Sequence, residues 1–132
     1  MWWERDEVME DIFINHSNHP SALWSEEERR AADEYGRIVD MAFPAIPPLA
    51  TEIEVEGLAE ANAARIIAQK PALVLCQGEY TYTYALVKRL IEKGIYVVAA
   101  CSERVVEEHH EPDGSTRRIS QFRFKRFRFY DC

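Results

Sequence analysis

The sequence predicts an α/β fold: a parallel sheet laid down in the order β-α-β-α-β-α-β, with helices on both faces, followed by a C-terminal β-hairpin. Three observations carry this expectation. Residues 72–77 and 95–100 are continuous apolar runs rich in Val and Leu, as expected of strands covered on both faces. Between the strand-like runs lie segments with helical spacing, two of them opened by an S/T-x-x-E capping signature. Near the end, Pro112-Asp113-Gly114-Ser115 supplies a hairpin turn between two extended stretches.

Taken in order, residues 1–10 are polar and acidic and read as a peripheral N-terminal extension, leaving residues 11–132 as a single domain. Residues 11–15 form a short apolar strand that runs into the loop Asn15-His16-Ser17-Asn18-His19-Pro20. Ser25 and Glu28 then start a helix, with acids in its first turn, and Gly36 stops it. Residues 37–43 are a second strand, after which Pro44, Pro47 and Pro48 forbid regular structure until Thr51 and Glu54 open a second helix that ends before Pro71. Tyr80–Tyr84 alternates like a strand. Gly78 has already broken the preceding strand, however, and the stripe of Tyr82, Leu86 and Leu90 continues to Gly94, so the expectation is a third helix over 81–93.

Residues 105–111 and 116–130 are the hairpin strands. In the second, Phe122 and Phe124 share one parity and Phe127 and Phe129 the other, a phase slip that a β-bulge near Lys125-Arg126 repairs. On that reading Arg126 and Arg128 face a different side from Arg123.

The chain has 132 residues and a net charge of −7, composed of −11 over residues 1–60 and +4 over residues 61–132. Acidity of this order argues against a general duplex-DNA binder, whose affinity comes from a cationic surface, but leaves room for one local anion site. No apolar run is long enough to span a bilayer and no secretory leader is evident, so a soluble cytoplasmic protein without membrane contact is expected. Cys76, Cys101 and Cys132 are odd in number, and the first two fall in apolar runs, so no disulfide framework is expected.

Ligands of open α/β sheets bind beyond the carboxyl ends of the strands. Three such ends are polar here: Asn15-His16-Ser17-Asn18-His19, Gln77-Gly78-Glu79-Tyr80-Thr81 and Ser102-Glu103-Arg104. Their convergence on one rim is expected to bind a polar, phosphate-containing ligand. Gly78 would let that ligand approach the backbone, Thr81 or Thr83 would cap the helix or donate to phosphate, and Arg104 suits an anion. Each has a plainer reading: Gln77-Gly78-Glu79 as a strand-ending turn, Arg104 as the partner of Glu79 or Glu107, and the bases of the last strand as a solvated face. His16 and His19 lack further ligands at a metal-binding spacing, so neither a metal nor a cofactor is expected. No GxGxxG or Walker lysine loop is present.

Gln77-Gly78-Glu79, Ser102-Glu103-Arg104-Val105-Val106-Glu107 and the terminal Ser120-x-Phe122-x-x-x-Arg126-Phe127-Arg128-x-Tyr130, together with Asn15-His16, resemble the small Csx-type CRISPR-associated proteins. These are Rossmann-like relatives of the CARF ligand-sensing domain found beside type III CRISPR systems. The resemblance implies a three-layer CARF-like domain, a homodimer, and a cyclic oligoadenylate as ligand, most simply the tetra-adenylate across a two-fold axis. It further implies a metal-independent ring nuclease, in which a ribose 2′-OH attacks the adjacent phosphodiester and leaves a 2′,3′-cyclic phosphate, switching the antiviral signal off. The catalytic residues expected on this basis are His16, Arg104 and Glu79. The expected ligand-binding set is Asn15, Ser17, Asn18, His19, Gln77, Gly78, Tyr80, Thr81, Thr83, Ser102, Glu103 and Arg126. A module that senses or sequesters the nucleotide without cutting it is the alternative.

Overall fold

The computed structural model describes residues 10–131. The expected extension at residues 1–10 therefore lies outside the described residues except for Glu10, whose carboxylate pairs with Arg37 at 3.2 Å. Among the described residues five strands and three α-helices follow one another: β1 (Ile12–Ser17), α1 (Glu26–Asp33), β2 (Arg37–Asp40), α2 (Glu52–Ala68), β3 (Leu73–Gln77), α3 (Tyr80–Glu92), β4 (Val97–His110) and β5 (Thr116–Phe129). The alternating α/β order is as the sequence predicts.

The sheet has the order β2-β1-β3-β4-β5, parallel from β2 to β4 and antiparallel between β4 and β5. It is thus a mixed sheet, not a parallel one followed by a separate hairpin. The stretches expected as the fourth parallel strand and the first hairpin strand are one continuous strand of fourteen residues, and β5 closes the sheet edge along its full length. The reason lies in Ser102-Glu103-Arg104. These polar residues end the burial of β4 but not its pairing, since Ser102, Glu103 and Arg104 stand opposite Phe124, Arg123 and Phe122. Polarity marks where a strand meets water, and only a lost ladder partner ends it.

Helix starts follow their local chemistry. Ser25 caps α1 by accepting from the N–H of Glu28, and Thr51 with Glu54 forms a reciprocal capping box on α2. The Tyr-Thr-Tyr-Thr-Tyr stretch is helical, as its longer stripe requires, and Tyr82, Leu86 and Leu90 are fully buried. Between α1 and β2, a Cβ on Gly36 would stand 2.6 Å from the backbone of Asp11, which no larger residue can occupy.

The sheet separates two apolar clusters. Alternation sends Ile14, Val74, Cys76 and Val97 towards α2 and α3, where they pack with Ile66, Leu86 and Leu90. Phe13, Leu73, Leu75, Val98 and Phe127 point to the other face, where Ala32 of α1 joins them. The bulge falls in β5 at Lys125, with Cys101 opposite Arg126 and Ser102 opposite Phe124. Its effect on the arginines differs from the expectation. Skipping one residue restores the parity, so Phe122, Phe124, Phe127 and Phe129 all share the α1 face, while Arg123, Arg126 and Arg128 share the opposite one.

Candidate functional site

On the α1 face, β3 and β4 diverge after only two register pairs, Val74 with Val97 and Leu75 with Val98. Gln77 bridges the gap by accepting the N–H of Ala100 on its side-chain oxygen at 2.8 Å. Beside that gap opens a cavity of about 770 Å³, lined by Ser17, Asn18 and His19, by Leu23, Trp24, Ser25 and Glu28, by Leu75, Gln77, Gly78 and Tyr80, and by Ala100, Ser102, Phe122 and Phe124. It sits where the topology places ligands, beyond the carboxyl ends of β1 and β3, and its size is ordinary for a small-molecule site.

Its outer wall is the chain after β1. The His19 carbonyl accepts from Asn15 Nδ2 at 2.9 Å and from Trp24 Nε1 at 3.1 Å, and Asp40 accepts from Asn15 Nδ2 at 2.9 Å and from the Ser21 hydroxyl at 3.1 Å. Asn15 is therefore a buried tie that shapes the loop. Trp24 stands edge-on to Phe13, which also stacks at a tilt against Phe127, so the aromatic wall rests on the core.

Seven of the sequence-predicted residues come together in this lining: Ser17, Asn18, His19, Gln77, Gly78, Tyr80 and Ser102. Strand alternation removes others. His16 follows Asn15 and precedes Ser17, so it points to the α2/α3 side, where it is fully buried. Its Nδ1 meets the Met41 carbonyl at 2.9 Å and its Nε2 the Tyr82 hydroxyl at 2.8 Å. Asn62 Nδ2 donates to the same hydroxyl at 2.8 Å, which leaves the Tyr82 proton for His16 Nε2 and assigns the ring proton to Nδ1. Burial holds the imidazole pKa below its ordinary value, and His16 is a neutral structural group here.

Glu79 is the N-cap of α3. Its carboxylate accepts from the Tyr82 N–H at 2.8 Å and the Thr81 hydroxyl at 2.7 Å, bonds that hold its pKa below the usual carboxylate range. Thr81, expected to cap the helix or donate to phosphate, gives its hydroxyl proton to the Glu79 carboxylate, which itself caps the helix, and Thr83 is buried. Gly78 is explained by packing and not by ligand approach. A Cβ there would come within 2.3 Å of the Phe43 ring, which is itself wedged between His16 and Tyr82. Gly78→Ala is accordingly expected to cost about 1–3 kcal/mol by overpacking, read as a lower urea midpoint with unchanged slope.

Arg104 pairs with neither Glu79 nor Glu107. It lies on the pocket face of β4 opposite Phe122, exposed, with Nε donating to Ser120 Oγ at 2.7 Å. It stands one pleat outside the lining. Glu103 and Arg126 are on the other face, Glu103 beside Lys125 at 3.3 Å and Arg126 folded onto the Phe127 carbonyl.

The sequence reading missed Trp24, Phe122 and Phe124 as walls and Glu28 as a polar lining residue. Glu28 was legible as half of a capping signature, which concealed it. Its carboxyl is half-buried, and burial pushes its pKa up to about 7. Among the described residues no three His, Cys, Asp or Glu side chains gather as a metal-holding group, and no helix is long and apolar enough to cross a membrane. Cys76 is buried, and burial pushes its thiol up to about 12.

No curated protein and no solved structure matches the chain. A family model does, over residues 11–128, and its description is the Uncharacterized protein MJ1673 family.

Proposed function

The chain belongs to the MJ1673 family, whose description assigns no activity, and we propose from the site itself that the protein binds a cyclic oligoadenylate and opens its ring without a metal. The observation that carries the reading is the make-up of the cavity. Trp24, Tyr80, Phe122 and Phe124 offer aromatic faces for adenine, while Ser17, Asn18, His19, Gln77 and Ser102 offer donors and acceptors for base edges, ribose and phosphate. Arg104, the sole Lys or Arg of β4, stands beside this lining, a local cation in an otherwise acidic chain.

The chemistry asks little of a protein beyond placement. The nucleophile is the substrate's own 2′-hydroxyl, and the enzyme accelerates its attack by holding the sugar and phosphate in line and by neutralising the phosphorane. On this reading the protein is a Rossmann-like, CARF-related member of the small CRISPR-associated proteins, works as a homodimer in the cytoplasm, and ends type III signalling by destroying its messenger.

Incubation with cyclic tetra-adenylate and cyclic hexa-adenylate in EDTA is expected to yield linear products ending in a 2′,3′-cyclic phosphate. Two rings left intact would remove the enzymatic claim. A second reading, a sensor that binds without cutting, is favoured by one observation: of the three residues expected to be catalytic, His16 is locked in the core and Glu79 is spent as a helix cap. Tight calorimetric binding with the ring intact would establish that reading instead.

A further inference from the structure

The two S/T-x-x-E signatures of this chain end in opposite environments. At Thr51, the Glu54 carboxylate returns to the cap N–H at 2.8 Å, and that bond holds its pKa down. At Ser25 only half of the box forms. The Glu28 N–H donates to Ser25 Oγ at 3.2 Å, but no bond returns from the carboxylate to the Ser25 N–H, and Glu28 lines the cavity together with Trp24, Ser25 and His19. A carboxylate that forgoes an available cap bond and part of its hydration is held at a cost, and such a cost is tolerated at sites of function.

Among the described residues no neighbouring charge explains the position. On α1, Arg29 bonds the Ser21 carbonyl and Arg30 pairs with Glu26. From β5, Phe124 and Phe127 face α1, with Arg126 folded onto the Phe127 carbonyl; from β2, Ile38 does so, with Asp40 tied to Asn15 and Ser21. His19 and Tyr80 are the other titratable side chains in the lining. Loss of water alone brings Glu28 to the value of about 7, which suits proton exchange at neutral pH.

Resting on the reading of the cavity as a ring-nuclease site, we infer that Glu28 is the catalytic base that takes the proton of the attacking ribose 2′-hydroxyl. As the 2′-oxygen bonds to phosphorus, the bond from phosphorus to the 5′-oxygen breaks. The departing 5′-oxygen takes a proton from water, and the proton held by Glu28 neutralises the hydroxide so formed, which restores the carboxylate. No proton is consumed overall.

The test is the pH dependence of turnover on cyclic tetra-adenylate for the wild type, Glu28→Gln and Glu28→Asp, with calorimetric affinity measured alongside. The wild-type rate is expected to rise through a limb near pH 7, and Glu28→Gln to lose both that limb and at least about a hundredfold in rate. Affinity should change less than about threefold, since the amide keeps the shape. Glu28→Asp should retain the limb with an intermediate rate. Near-normal turnover by Glu28→Gln, or a limb that survives in it, overturns the inference.

A second readout needs no ligand. A carboxyl pKa raised on folding stabilises fully below the unfolded value of 4.5, and that stability is lost as pH rises through about 7. Glu28→Gln should therefore melt above the wild type at pH 8, with the difference vanishing near pH 4. A carbon NMR titration of Glu28 with its midpoint near 4.5 overturns the role of Glu28 while leaving the functional reading standing. A wild type that cuts no ring overturns both.

Discussion

Tyr82→Phe is expected to destabilise the protein far more than the loss of one oxygen atom suggests. The Tyr82 hydroxyl is the sole link between Asn62 Nδ2 and His16 Nε2 in the core under α2 and α3, at 2.8 Å from each. Its removal strands a buried donor and a buried acceptor, at about 1–3 kcal/mol for each group left unpaired. The vacated site is walled by Phe43 and the His16 ring, and water entering it would have to replace both bonds. Urea unfolding should show the drop as a shifted midpoint. Ring binding should persist at temperatures where the variant is folded, because the network lies across the sheet from the cavity. A variant of full stability that no longer cuts would instead return His16 and Tyr82 to the chemistry.

Phe13→Ala is expected to cost about 3–5 kcal/mol, the range for emptying a buried aromatic position. Phe13 is fully buried, its ring centroid 5.3 Å from Phe127 and 6.1 Å from Trp24. Phe127 in turn meets Phe124 at 4.9 Å, so one aromatic chain runs from the core to two walls of the cavity. The variant should therefore lose ring affinity as well as stability. Phe13→Leu, which fills most of the space, should keep the fold and expose the binding effect by itself. The Trp24 indole N–H resonance, bonded to the His19 carbonyl, reports directly on the wall. Unchanged affinity in Phe13→Leu with a shifted Trp24 signal would show that the wall does not contact the ligand.

Much of the fold was legible because its signals are local. Capping at Ser25 and Thr51, the stops at Gly36 and Gly94, the apolar runs of β3 and β4 and the bulge in β5 each depend on a few adjacent residues. The end of β4 was not legible. Whether Ser102-Glu103-Arg104 stay in the ladder depends on β5, some twenty residues away, offering partners. The candidate site divides along the same line. Ser17, Gln77 and Ser102 face the cavity, while His16, Cys76 and Glu103, each next to one of them in the chain, do not.

By itself, then, the sequence determined the order of helices and strands, their caps, and the polar strand ends at which a ligand would sit, since these follow from short-range hydrogen bonding and period. Tertiary structure alone decided which member of each polar cluster faces the cavity and which enters the core. A strand alternates faces at every residue, and the face that meets α1 is set by packing across the whole sheet. The same packing made Glu28 part of the cavity wall, where loss of water, invisible in the sequence, brings its pKa to about 7.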